Sequence, residues 1–163
     1  MRPTYAVVPN ENSTGYTFYT DNNIGYYIYF TSYAFRDEEG RNFYVPSFNF
    51  DCIDPTVRTP RDEKVKNTIL QFIHEYFEDN PNITMLYVCD SSDHRARQRI
   101  FGKWFKEYEA IHPNLFEKHE FFQQTELLNI YAAFIIRSDN PLRDYYVSAF
   151  NLTAALVVQE LAK

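Results

Sequence analysis

Glycine is scarce in this chain, with four residues among 163, at positions 15, 25, 40 and 102. That spacing contains neither GxGxxG nor GxxxxGK followed by Ser or Thr. These are the loops whose missing side chains let backbone amides close on a diphosphate. Phosphate-loop chemistry is therefore excluded. Cysteine is almost as rare: Cys52 and Cys89 sit in strand-like runs without CxxC spacing. They read as buried free thiols in a reducing cytoplasm. Cys89 stands five residues before His94, but its apolar run raises a thiol pKa and argues against a thiolate nucleophile.

The four histidines, at 74, 94, 112 and 119, form no HExxH and no tight ligand grouping, and no GxSxG occurs. The expectation is no metal, no cofactor and no catalytic residue. No apolar run approaches the roughly 20 residues of a membrane span. The N-terminus MRPTYAVVPNENST lacks a signal-peptide core. Positive charge is also in deficit, with a net charge of −6 and pI of 5.2. A general nucleic-acid binder, which depends on neutralising phosphates, is not expected.

Aromatic rings are what the chain has in excess: 14 Tyr, 15 Phe and one Trp, 18% of all residues. Tyr and Phe favour strands and supply large contact area at interfaces. The length suits a single domain over 1–163.

Taken in order, Tyr5–Val8 and Gly15–Thr20 read as short strands separated by a polar loop, and Asp21-Asn22-Asn23 as a turn. Gly25–Phe35 is the clearest strand. Its even positions, Tyr26, Ile28, Phe30 and Ala34, suit a core face. Its odd positions, Tyr27, Tyr29, Thr31, Tyr33 and Phe35, are left for solvent, a helix or a partner. Asn42–Cys52 is β-like, and Pro46 places it at an edge or a bulge. The first third is thus an antiparallel meander.

Thr59-Pro60-Arg61-Asp62 reads as a helix start, with Thr59 as cap, Pro60 in the first helical position and Asp62 as a capping-box carboxylate. Val65, Ile69, Phe72, Ile73, Tyr76 and Phe77 then hold helical spacing as far as Asp79-Asn80-Pro81. A buried strand follows at 83–89, then a helix at about 93–109. Ile111–Glu120 reads as loop, and Phe121–Gln124 is ambiguous. Leu127–Ile136 is a buried strand. Asn140-Pro141 opens a helix over 142–162, with a strand at Tyr145–Phe150 as the competing assignment. The order β-β-β-β-α-β-α-β-α makes one α+β domain.

One place gathers polar groups at the end of a core element. Asp90-Ser91-Ser92-Asp93 closes the buried strand, and His94, Arg95, Arg97, Arg99 and Lys103 load the next helix start with positive charge. There the dipole is already positive, at a cost of roughly 0.3–1 kcal/mol per charge left unanswered. Two readings stand side by side. In the first, Asp90 and Asp93 cap the helix or pair with Arg97 in a self-satisfied network. In the second, the helix-start amides with Arg95 and Arg99 hold a phosphate or carboxylate. Asp90, Asp93, His94, Arg95, Arg97 and Arg99 are the candidate anion-binding residues. Tyr27, Tyr29 and Tyr33 are the candidate interface.

The early strands YTFYT and GYYIYF, the helix VKNTILQFIHEYF and above all YVCDSSDHRARQRIFGKWF resemble the DUF6169 proteins of Bacteroidetes, a family of unknown function. That resemblance implies no reaction, cofactor or site residue. A looser likeness is to the GNAT acetyltransferases, whose second half runs strand, helix, strand, helix, strand. Asp90-Ser-Ser-Asp before Ile100-Phe-Gly-Lys-Trp-Phe imitates their pattern. The helix beginning TPRDEKV lacks their R/Q-x-x-G-x-G/A loop for coenzyme A, so the likeness stops short of that cofactor. The expected function is a non-enzymatic cytoplasmic protein acting through a protein partner or as a homo-oligomer. The alternative is a divergent acyltransferase-like or anion-binding protein that uses the turn at 90–99.

Overall fold

The computed structural model describes residues 2–11, 14–58, 60–89, 94–124 and 129–161. Within them, the side chains of Tyr87, Cys89, residues 94–101, Trp104, Asn129, Val158, Glu160 and Leu161 are outside the description. The elements are β1 (Val8–Pro9), β2 (Tyr16–Tyr19), β3 (Gly25–Arg36), β4 (Asn42–Cys52), α1 (Glu63–Asp79), β5 (Thr84–Cys89), α2 (His94–Ile111), β6 (Phe116–Gln124), β7 (Asn129–Arg137) and α3 (Arg143–Leu161). The fold is α+β, with seven strands in the order β1-β2-β3-β4-β5-β7-β6. β5 runs parallel to β4, with Ser47 opposite Leu86, and antiparallel to β7.

The chain divides into two compact units, residues 1–31 with 48–80, and residues 32–47 with 81–163. In the first, β2 pairs with both β1 and β3 antiparallel. Asn23, with φ of 60°, makes the β2–β3 turn in a conformation Asn tolerates. Helix α1 covers one face of these strands. Phe72 meets Tyr16 edge-on at 4.9 Å, and Tyr76 stacks on Phe30 at 4.7 Å. Ile69 and Phe77 are fully buried, worth about 1.5–3 kcal/mol each. The helix starts later than the Thr59-Pro60 signal implies. Asp62 is the N-cap, its carboxylate accepting from Lys64 N at 2.9 Å. Its other oxygen is taken by the Tyr5 hydroxyl at 2.7 Å, and Tyr5 N donates to Thr68 Oγ1 at 2.8 Å. The N-terminal segment is thereby tied to α1. Thr59 lies outside the described residues.

In the second unit, Phe35, Val45, Leu86, Ala132, Phe134 and Ile136 form a core with Ala149 and Phe150 of α3. α2 lies on the opposite sheet face: Phe116 and Lys118, whose partners Arg137 and Ile135 point away from that core, meet Tyr108 and Phe105. Residues 145–150 are helical, which decides against the competing strand. Asn140, buried, accepts from Leu142 N at 2.9 Å and donates to Asn82 O at 3.0 Å, anchoring the start of α3.

Four expectations are corrected. Phe116–Gln124 is a strand of nine residues, in place of the loop expected as far as Glu120 and the ambiguous Phe121–Gln124. Its sequence FEKHEFFQQ alternates poorly, and it is held as a strand by pairing with the apolar β7. β4 is an interior strand despite Pro46. Ser47, next to the proline, carries the pairing with β5, so the missing amide does not prevent the contact. On β3, the core face is even at Ile28 but odd at Phe35, which is 1% exposed, and Ala34 is exposed. The last concerns Cys52: it is a free thiol, half-buried instead of buried, with its Sγ 3.2 Å from Asp54 O.

Candidate functional site

The predicted anion site falls largely outside the described residues. Asp90 and Asp93 are not described, nor are the side chains of His94, Arg95, Arg97 and Arg99. The backbone frame is described: β5 is flanked by β4 and β7, and α2 begins at His94. Along β5 runs an apolar crevice of about 30 Å³ in the second unit. Leu86 and Val88 form its floor, with Phe35 and Tyr33 of β3 on one side and Phe121, Ile130 and Ala132 on the other. Phe150, Thr153, Ala154 and Val157 of α3 close it. Thr153 contributes little polarity, since its Oγ1 already accepts from Arg36 N at 2.9 Å. Such a lining suits a small apolar group better than water. Tyr33, 38% exposed, lines this crevice.

Tyr27 and Tyr29 belong to a surface of the first unit. Tyr27 sits opposite Thr17 and Tyr19 opposite Gly25, so Tyr19, Tyr27 and Tyr29 share the sheet face away from α1. The Tyr27 and Tyr29 rings stack at 5.0 Å, and the Tyr29 hydroxyl donates to Asp51 at 2.9 Å. Gly25 makes room beside them. A Cβ there would lie 2.7 Å from Ile53 Cδ1 and 2.9 Å from Tyr19 Cε1. The two side chains converge over the glycine backbone while keeping 57% and 47% of their surface exposed, for Tyr19 and Ile53 respectively. Tyr19, Gly25 and Ile53, which the sequence reading does not single out, stand beside Tyr27 and Tyr29. The signal available was a glycine beginning a strand of rings, which marks a close approach of side chains.

Two buried or half-buried ionic groups also escaped the sequence reading. Asp37, 5% exposed, opens the β3–β4 turn. It accepts from Glu39 N at 3.0 Å, Arg41 N at 2.9 Å, Arg41 Nε at 3.0 Å and the Tyr145 hydroxyl at 2.7 Å. The Tyr145 hydrogen bond, reinforced by the Arg41 amide and guanidinium, lowers its pKa to about 2 against the opposing effect of burial. Reciprocally, the Asp37 carboxylate holds the Tyr145 phenol above its usual value. The turn sequence Asp-Glu-Glu-Gly announces the local half, with Gly40 at φ of 80°. Nothing in the sequence announces Tyr145.

Glu117 of β6 is gripped at 2.6 Å by both Nε and Nη2 of Arg143, and that guanidinium holds its carboxyl below the usual range. His119 Nε2 is buried without a hydrogen bond, 3.7 Å from Glu117. With every oxygen of Asp37 and Glu117 engaged, both groups serve as structural fasteners within their unit. Among the described residues, no three His, Cys, Asp or Glu side chains converge as a metal site requires, and no helix is long and apolar enough to cross a membrane.

No curated protein and no solved structure matches this chain. A family model does match, over residues 61–152, more than half the chain, from α1 through the first half of α3. The chain belongs to the family of unknown function DUF6169.

Proposed function

We propose that this protein works by binding another protein, without catalysing a reaction, through the ring-lined sheet face of its first unit. The observation that carries this reading is the arrangement around Gly25. Tyr19 and Ile53 converge over it, largely exposed, beside the Tyr27–Tyr29 stack. Rigid aromatic rings with an apolar body and a hydroxyl rim are what buried interface anchors are made of. The other face of the same strands is occupied by α1, and on this face Tyr19 and Ile53 stay exposed. The free thiol of Cys52 supports a reducing, cytoplasmic location. The test is affinity capture from the source cells with the wild type and with Tyr19→Ser/Ile53→Ser, followed by reconstitution with the purified partner. Loss of two anchors weakens binding by at least about tenfold, as interface hot spots do. A partner bound equally well by the folded double variant removes this face from the reading.

A second reading rests on a different observation. The apolar crevice lies along β5, the strand that leads directly to Asp90 and the basic start of α2. An apolar cleft of this kind suits a ligand that carries a small apolar group. The succession β4, α1, β5, α2, with β4 and β5 parallel, supports an acyltransferase-like ancestry. A thermal-shift screen of coenzyme A derivatives, phosphates and carboxylates tests it, on the wild type and on Arg95→Ala/Arg99→Ala. A ligand at 100 times its dissociation constant adds about 2.7 kcal/mol of stability. A shift abolished in the variant supports the site, and no shift with any compound removes it.

A further inference from the structure

The two edges of the sheet are built differently. β1 is two residues long and ends in Pro9, and both shortness and proline blunt an edge against further pairing. β6, at the other edge, is nine residues long and has no proline. Its register with β7 runs unbroken from Phe116 opposite Arg137 to Gln124 opposite Asn129, so no bulge twists it away. Its lysine is not deployed over the edge either. Lys118 is 13% exposed, lying 5.0 Å over the Phe105 ring with its ammonium 2.9 Å from Glu120. A long, flat, regular edge strand is a template for another strand.

We propose that β6 is a self-association edge, pairing antiparallel with β6 of a second copy about a two-fold axis at His119. The occupant is specified by the charge order of the strand. About a two-fold axis normal to the sheet, facing residues lie equally far on either side of the residue on the axis, and they share a sheet face. With the axis at His119, Lys118 of each copy faces Glu120 of the other, and Phe116 faces Phe122, each pair occurring twice. Together with the Lys118–Glu120 contact inside each chain, this makes a ring of four alternating charges. An axis at Lys118 or at Glu120 sets a like charge against itself, which is unfavourable for directly opposed residues. An axis at Phe121 leaves Lys118 facing Gln124 and Glu120 facing Phe122, with no charge answered. Of these registers only the one at His119 sets Lys118 against Glu120, while Glu117, held by Arg143, faces Phe121. This surface lies in the second unit and does not depend on the ring face of the first.

Sedimentation equilibrium of the full chain over a concentration series tests the proposal. The wild type is expected to dimerise. Lys118→Glu and Glu120→Lys each turn both cross-strand pairs into like-charge pairs, and each is expected to raise the dimer dissociation constant at least about tenfold. An equimolar mixture of the two variants is expected to regain the dimer, because each then faces its complement. A wild type that stays monomeric throughout overturns the proposal. So does a dimer indifferent to both variants, or a mixture that fails to associate. Circular dichroism establishes that each variant is folded. If either is not, the doubly swapped chain Lys118→Glu/Glu120→Lys takes its place: dimerisation like the wild type supports the register, and a folded monomer overturns it.

Discussion

Tyr145 donates its hydroxyl to Asp37 at 2.7 Å across 108 residues of sequence, joining the third helix to the β3–β4 turn. The same carboxylate receives two turn amides and the Arg41 guanidinium, so one acid organises both a hairpin and the seat of a helix.

Its pH dependence follows from the sign of the shift. The Asp37 carboxyl falls from 3.8 to about 2 on folding. A depressed pKa contributes stability that is fully present above the unfolded value and is lost as pH falls through the folded one. The melting temperature should therefore drop between about pH 4 and pH 2, the interval those two values bracket. In Asp37→Asn that component of the drop should vanish. In Tyr145→Phe, Asp37 loses its largest stabilising partner, its pKa returns toward 3.8, and the same component of the drop shrinks. Thermal melts across this range, read by circular dichroism, check all three. Coincident acid profiles for wild type and Asp37→Asn would contradict the assignment.

The first helix depends on a cap that also holds the N-terminal segment. Asp62→Ala removes the hydrogen bond to Lys64 N and the acceptor for Tyr5, and should cost about 1–2 kcal/mol in urea unfolding. Tyr5→Phe, which keeps the cap, should cost less. If the two variants are equal, the cap contributes nothing beyond the tyrosine contact.

Phe134 is fully buried in the second unit, stacked on Phe150 at 5.6 Å and edge-on to Phe35 at 5.3 Å. Phe134→Ala should destabilise by about 3–5 kcal/mol, the range for a buried ring replaced by a cavity. Phe122→Ala, on a side chain 47% exposed, should cost well under that. Chemical denaturation of both variants gives the comparison directly.

Gly25 separates stability from binding. In Gly25→Ala the new methyl meets the tip of Ile53 and the ring edge of Tyr19, both of which have solvent to move into. The change in unfolding free energy should stay within about 1 kcal/mol, since strain is set against better strand propensity. Partner affinity should nevertheless fall, because the converging pair is pushed apart. Isothermal titration with the reconstituted partner measures one, and urea melts the other.

The limits of sequence reading fall where local chemistry ends. α1 was legible because its apolar stripe and its Asp79-Asn80-Pro81 stop are both local. The Thr59-Pro60 signal puts its start too early, because Asp62 provides the cap. β6 was not legible: Glu117, Lys118, His119 and Glu120 hide any alternation, and Ile135, Phe134 and Ala133 across the ladder make it a strand. Of the candidate interface, Tyr27 and Tyr29 do share a surface, whereas Tyr33 lines the crevice. Tyr19 comes from β2 and Ile53 from the bend just after β4, brought over Gly25 by strand pairing and by the Ile53 N to Gly25 O hydrogen bond.

By itself the sequence determined the α+β class, the helices and the buried runs of β5 and β7, because periodicity and capping act within a few residues of one another. Tertiary structure decided that Phe35 and not Ala34 is core, that β6 pairs at all, and that Asp37 finds Tyr145. Those outcomes depend on surfaces supplied by distant segments, and a strand's own alternation is the same whichever of its faces is covered.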